Sequence, residues 1–243
     1  MPNCFTELLS LWPDPSSIRD ISDHQRSELA KALSRRVGCL HGGPGTGKSR
    51  TTRELIRAVR EQFPGESIAL CAPTGKAGLR MGELLREIGI HIPATTIHSM
   101  LVVGRNGHDG KGWGFEHDES NPLPHRYYFI DESSMITNYM MASLFRAIPP
   151  DAHVLFVGDP NQLPPVGVGR PFCDFIRAGV PTGHLDEIHR FAGRIADVCR
   201  KIHRGERWSP SAAIDLDAPF PENLLPAEVV ARRTGPSSRA RGT

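Results

Sequence analysis

Residues 37–49 read VGCLHGGPGTGKS. A short apolar run at 37–41 stops at a cluster of glycines that closes with Gly47, Lys48 and Ser49, and a helix-period segment follows at once. In that segment, residues 49–63, Leu55, Ile56, Val59 and Phe63 recur on one face at helical spacing. Strand, glycine loop and helix is the context that the G-x-x-x-x-G-K-[ST] pattern requires. A backbone wrapped around phosphates needs residues without a Cβ, and the loop N–H groups and the helix N-terminus then face the anion. The stretch therefore predicts a phosphate cradle at the end of a strand. Its candidate nucleotide-binding residues are Gly43, Pro44, Gly45, Thr46, Gly47, Lys48, Ser49 and Arg50. Lys48 is expected to reach the β- and γ-phosphates, and the Ser49 hydroxyl to coordinate Mg²⁺. By accident the pattern arises in about one chain in a hundred of this length, and the flanking elements make accident rarer.

Outward from the loop, short apolar runs at 67–72, 127–131 and 153–158 alternate with helix-period segments at 77–88, 134–148 and 193–203. That alternation predicts a parallel α/β sheet with helices on both faces. Residues 101–116 break it. Asn106-Gly107 and Asp109-Gly110 are turn signals between apolar flanks, so a small β-hairpin or flexible insertion is expected there. From about residue 205 prolines accumulate, and the last twelve residues hold four arginines and no acid, so a poorly ordered tail is expected over 206–243.

Composition excludes several classes. Of the 243 residues, 39% are hydrophobic and 23% charged, which is ordinary for a globular chain. No run of about 18 apolar residues predicts a membrane span, and residues 1–14 lack the basic and apolar regions of a signal peptide; the expected location is the cytoplasm. The five cysteines form no Cys-x-x-Cys pair and fit buried, reduced thiols. A net charge of +2 is too small to argue for nucleic acid, so any DNA contact must come from a local groove.

The chemistry continues at residues 127–132, YYFIDE, an apolar strand that ends in two carboxylates. Ligands in open α/β sheets bind at the carboxyl ends of strands. Asp131 is therefore the candidate partner of Ser49 on Mg²⁺, and Glu132 the candidate that orients or deprotonates an attacking water. A third strand end, at residues 158–167, reads GDPNQLPPVG, where the amide of Gln162 can sense a γ-phosphate.

These segments together resemble the superfamily 1 DNA helicases, in their RecD-like branch. GDPNQLPPV is similar to motif III of that family. Residues 72–77, APTGKA, resemble motif Ia, and 95–100, TTIHSM, the T-I-H segment of the branch; residues 185–191, LDEIHRF, resemble motif IV with Phe191 where the family often has Gln. Residues 21–26, ISDHQR, resemble the Q motif. The resemblance runs from about residue 20 to 205. It implies a RecA-like ATPase domain 1A over 20–205, after an N-terminal segment at 1–19, with a 1B-like hairpin inserted at 101–126. It implies that Gln25 reads adenine, that Arg190 reaches the γ-phosphate, and that Pro73, Thr74, Lys76, Thr96 and His98 lie along single-stranded DNA or a duplex junction. From the residues alone, Thr74 reads rather as a helix N-cap and His98 as a packed core histidine. Trp113 or Phe115, at the hairpin tip, could stack on a base or pack the hairpin onto the domain.

The family carries a second RecA-like domain with motifs V and VI, and neither follows residue 205. The expected function is ATP hydrolysis coupled to 5′-to-3′ movement on single-stranded DNA, with the missing arginine supplied by a second helicase domain or subunit. Isolated, the chain is expected to bind ATP, to hydrolyse it weakly or not at all, and not to unwind DNA processively. An ATP-switched module that grips DNA or a partner without turnover is the alternative; stimulation of phosphate release by single-stranded DNA separates the two. A P-loop kinase would instead leave a phosphorylated acceptor.

Overall fold

The computed structural model describes residues 12–104 and 114–187, with only the backbone at Val103, Gly104 and Gly114. The expected helix at 193–203, the tail at 206–243, Trp113 and Arg190 lie outside the described residues. In chain order the elements are α1 (Asp23–Ala32), β1 (Val37–Gly42), α2 (Lys48–Gln62), β2 (Ile68–Ala72), α3 (Gly75–Arg86), β3 (Ala94–Thr96), α4 (Ile97–Leu101), β4 (Val103–Gly104), β5 (Gly114–Phe115), β6 (Tyr127–Ile130), α5 (Asn138–Ala147), β7 (His153–Gly158), α6 (Pro171–Arg177) and β8 (Thr182–Leu185).

Six strands form one sheet in the order β3-β2-β6-β7-β1-β8. Every pairing in it is parallel. The expected RecA-like α/β fold is what the chain adopts. Strands β2, β6 and β7 are buried at every position, which is why they read as continuous apolar runs instead of alternating ones. Tyr127 and Phe129 point into a core under α1, α2 and α3. Tyr128 and Ile130, one residue out of phase, point into the opposite core under α4, α5 and α6. Each fully buried Leu or Phe in these layers contributes roughly 1.5–3 kcal/mol.

Sequence periodicity misplaced some boundaries. The helix expected at 134–148 starts at Asn138, because Ile136 and Thr137 are extended and the Thr137 hydroxyl caps Met140 N–H at 3.3 Å; a 3-10 turn covers Ser133–Met135 instead. In the expected hairpin region β4 and β5 pair antiparallel, whereas Leu101 is the buried end of α4. Helix α1, the short β3, α4, α6 and β8 carry no strong periodicity and were not expected. Cys39 and Cys71 are buried free thiols whose pKa burial pushes up to about 12. No helix among the described residues is long and apolar enough to cross a membrane.

Candidate active site

The sheet order decides what meets what. β7 lies between β1 and β6, so the motif III loop leaves the sheet between the phosphate loop and the acidic strand. In the register, His41 pairs with Gly158, which sets Asp159 beside the start of the glycine loop.

Within that loop, Gly45 and Gly47 have φ of +81° and +88°, a left-handed backbone that costs any other L-residue. These turns aim the loop inward and start α2 at Lys48, with Gly47 as its N-cap. Thr46 is buried and its hydroxyl donates to Gly43 O at 2.9 Å. Lys48 Nζ donates to the carbonyls of Gly42 and Gly43 at 2.7 and 3.0 Å. Burial lowers the Lys48 pKa, while the charges of Asp159, Glu132 and Asp131 raise it. The charges of three carboxylates from two strand ends thus act on one half-buried ammonium.

Asp131 closes β6. Burial raises its pKa to about 6, against the Glu132 N–H it accepts at 2.9 Å. Glu132 sits at φ +52°, ψ +40°, a left-handed conformation that costs a non-glycine residue roughly 1–3 kcal/mol and clusters at functional sites. Its Oε2 is shut from solvent with no hydrogen-bond partner among the described atoms. A strained residue holding an orphaned carboxylate oxygen is poised for a proton or a water. Hydroxyl and carboxylate oxygens are the hard donors that suit Mg²⁺ alongside substrate phosphates, so Ser49 and Asp131 fit the metal the fold implies.

The other candidates divide. Gln25 is buried; its Oε1 accepts Ser22 N–H in a capping box at 3.0 Å, and its Nε2 donates weakly to Thr46 O at 3.4 Å. One amide hydrogen and one lone pair remain in its inventory for a base edge. Arg50 is turned outward, its Nε donating to Asp20 O at 3.1 Å. Gln162 is exposed, held through its N–H to Asp159 O at 3.1 Å.

Toward the other edge, Ala72 pairs with Thr96, so the motif Ia loop and the T-I-H segment start side by side. Thr74 is the N-cap of α3, yet its hydroxyl makes no cap bond. Thr96 caps α4, accepting Ser99 N–H at 3.0 Å. Lys76 and His98 are exposed, which overturns the packed-core reading of His98. Phe115 is half-buried at the base of the hairpin, its ring centroid 6.0 Å from those of His98 and Tyr139; it packs the hairpin down and is not at a tip.

Sequence reasoning gave no role to Asp159, 2% exposed, with Oδ1 accepting Asn161 N–H at 3.0 Å. It also missed Arg80 on α3, whose charge acts on both Lys48 and Asp131. Asp159 stood inside a quoted motif; Arg80 had no local signal.

Comparison with known proteins follows the same lines. The family model described as AAA domain matches residues 25–168. The ATP-dependent RecD2 DNA helicase of Deinococcus radiodurans is 39% identical over 184 residues, 75% of this chain and 24% of that protein. The RecBCD enzyme subunit RecD of Mycolicibacterium smegmatis is 34% identical over 204 residues, 76% of this chain and 36% of its own length. The chain thus spans about a quarter to a third of these relatives. Among solved structures, the Pif1 helicase from Candida albicans shares the fold with a TM-score of 0.53 at 24% identity, over 76% of this chain and 44% of that one. Bacteroides Pif1 bound to single-stranded DNA shares it with a TM-score of 0.51 at 18% identity, over 77% and 47%. The chain belongs to the AAA domain family, and over three quarters of its length it is similar to RecD and RecD2 proteins.

Proposed function

We propose that this chain is the ATP-binding and hydrolysing motor domain of a cytoplasmic DNA helicase, coupling ATP hydrolysis to 5′-to-3′ movement on single-stranded DNA. The observation that carries the reading is Lys48, seated in its glycine loop and faced by Asp131, Glu132 and Asp159 at one sheet edge. Lys48 would exchange its two loop carbonyls for the β- and γ-phosphates, whose charge offsets the cost of its burial. Glu132 orients the attacking water and takes its proton, with a backbone that holds the carboxylate in place before substrate arrives. Ser49 and Asp131 would hold Mg²⁺, which when bound neutralises charge on the transferring phosphoryl group. Gln162 reads the γ-phosphate from the motif III loop. Arg190 and an arginine from a second RecA-like domain, on the same or another chain, complete the charge stabilisation.

Pro73, Thr74, Lys76, Thr96 and His98 would track the phosphates and bases of single-stranded DNA, alone or at a duplex junction. A second reading is an ATP-switched grip on DNA without productive turnover. Phosphate release with and without single-stranded DNA decides between them. Stimulation by DNA is expected in the native chain. Lys48→Ala is expected to lose nucleotide binding, and Glu132→Gln to lose turnover by about a hundredfold or more while still binding ATP. ATP binding with turnover that DNA leaves at background would favour the switch; an intact Glu132→Gln rate would reject the assigned chemistry.

A further inference from the structure

Helix α5 keeps one large ring out of its own core. Met140, Met141, Leu144 and Ala147 are its buried side chains, whereas Tyr139, in the first turn, is 68% exposed. The residues that share its side of the helix are Ala142, Ser143 and Arg146. They offer no apolar stripe to a partner helix, which needs anchors on successive turns. Tyr139 lies instead against Phe115, ring centroids 6.0 Å apart and planes inclined by 31°, and Phe115 lies 6.0 Å from His98 in turn. A lone exposed tyrosine is ordinary; this one ends a row of rings that begins in the T-I-H segment. Phe115 is half-buried, so the middle ring is held while the outer one stays open to solvent.

The start of α5 is pinned from its other side. Asn138 N–H donates to Val168 O at 3.0 Å. A Cβ on Gly167 would stand 2.8 Å from Thr137 Cγ2, and one on Gly169 2.0 Å from Asn138 Oδ1. The end of the motif III loop therefore closes directly on the two residues before Tyr139. In this chain of contacts Tyr139 comes between the T-I-H segment and the loop that carries Gln162.

We infer that Tyr139 is a base-stacking residue: its exposed face, backed by Phe115, takes a base of single-stranded DNA and extends the track from His98 toward the motif III loop. Stacking on an aromatic face tolerates any base, as movement along a strand of any sequence requires. A ring on a helix start that is already fixed loses little freedom when the base arrives. The inference rests on the proposed DNA track.

The test measures binding of the full chain to a labelled single strand over a range of salt concentrations, beside a strand of equal length whose sugar-phosphate backbone carries no bases. Tyr139→Ala is expected to weaken binding to the normal strand about tenfold with the salt slope unchanged, because the ring carries no charge. Tyr139→Phe and Tyr139→Trp keep a π-face and are expected to stay within about twofold of the native chain. On the baseless strand Tyr139→Ala is expected to bind as the native chain does. Lys76→Ala is the reference for the track, and its loss of about one in salt slope reports a phosphate contact. If the native chain does not bind the normal strand, or Lys76→Ala leaves the slope unchanged, the track falls and the inference with it. If Lys76→Ala acts but Tyr139→Ala keeps native affinity, the stacking role alone is overturned. A loss shared by Tyr139→Phe, or repeated on the baseless strand, also overturns it, because the contact would then lie on the hydroxyl or the phosphates.

Discussion

The two halves of the sheet's carboxyl edge are built in opposite ways. Around β1 and β8 the groups are cross-bonded, with Thr46 and Glu28 buried and Lys48 and His41 half-buried. Lys48 grips its own loop, Thr46 locks it, Glu28 fills the strand edge, and the rings of His41 and His184 stack at 4.4 Å. Around β2 and β3 the candidate contacts, Thr74, Lys76 and His98, are exposed and lightly held. A nucleotide pocket must be dry and preorganised, because its electrostatics weaken in water. A surface that follows a moving polymer needs open donors that release as readily as they bind. Between the halves stand β6 and β7, whose ends carry Asp131, Glu132, Asp159 and Gln162, so the strand order interposes the groups proposed for hydrolysis between the proposed phosphate site and the proposed track.

The sharpest test of the contrast adds one methyl group to each half. Gly183→Ala, with Glu28 O at 2.1 Å from the new carbon, is expected to destabilise the fold by about 3 kcal/mol, since backbone cannot yield as a side chain can. Gly75→Ala, at the first turn of α3 with nothing within 4 Å, is expected to be neutral or stabilising by up to about 1 kcal/mol. Chemical denaturation of both variants checks this, and equal losses would erase the distinction between a tight and an open half.

A second effect comes from His41. Burial, then the neighbouring His184, lower its pKa from 6.5 to about 4 in the folded chain. As pH falls, the unfolded chain takes up the proton first. The stability from a neutral His41 is thus complete above about pH 6.5 and is lost toward pH 4. His153, also held to about 4 chiefly by burial, adds to the same loss, and Asp131, raised to about 6, opposes it. Replacing His41 by Phe keeps a ring on His184 and is expected to remove about one proton from the slope of stability against pH in that window. An unaltered slope would mean that His41 is hydrated.

The smallest expected effect lies on the open half. Lys76→Ala should lower the slope of log affinity against log salt for single-stranded DNA by about one, and His98→Ala should weaken binding only a few-fold. A His98 effect as large as that of a buried anchor would show that the track is less open than its exposure implies.

The nucleotide half could be read from local sequence because its chemistry is local. Gly43 through Ser49 form one continuous cradle, and Asp131 and Glu132 are adjacent on a strand whose burial is written in its apolar run. Their backbone demands, φ > 0 at two glycines and a strand-to-loop exit, are met by neighbouring residues. On the DNA half only the family resemblance raised Thr74 and His98 above a cap and a core histidine; the exposure of His98 and the unused hydroxyl of Thr74 are tertiary facts. The elements that went unread fail for the same reason. α1 rests on a close approach to Gly183, far away in the chain, as well as to nearby Gly38, β8 is four residues long, and the break before α5 depends on a Thr137 cap.

By itself the amino-acid sequence determined the parallel α/β class, the phosphate loop with Lys48 and Ser49, and the pair Asp131 and Glu132, because periodicity, glycine and adjacent charge act over a few residues. Only the tertiary structure decided that β7 lies between β1 and β6, that the charges of Asp159 and Arg80 act on Lys48, and that Glu28 and His24 reach β8 and the residue after it. Strand order and cross-chain contacts are settled when distant segments compete to bury the same apolar faces, and no local pattern records the outcome of that competition.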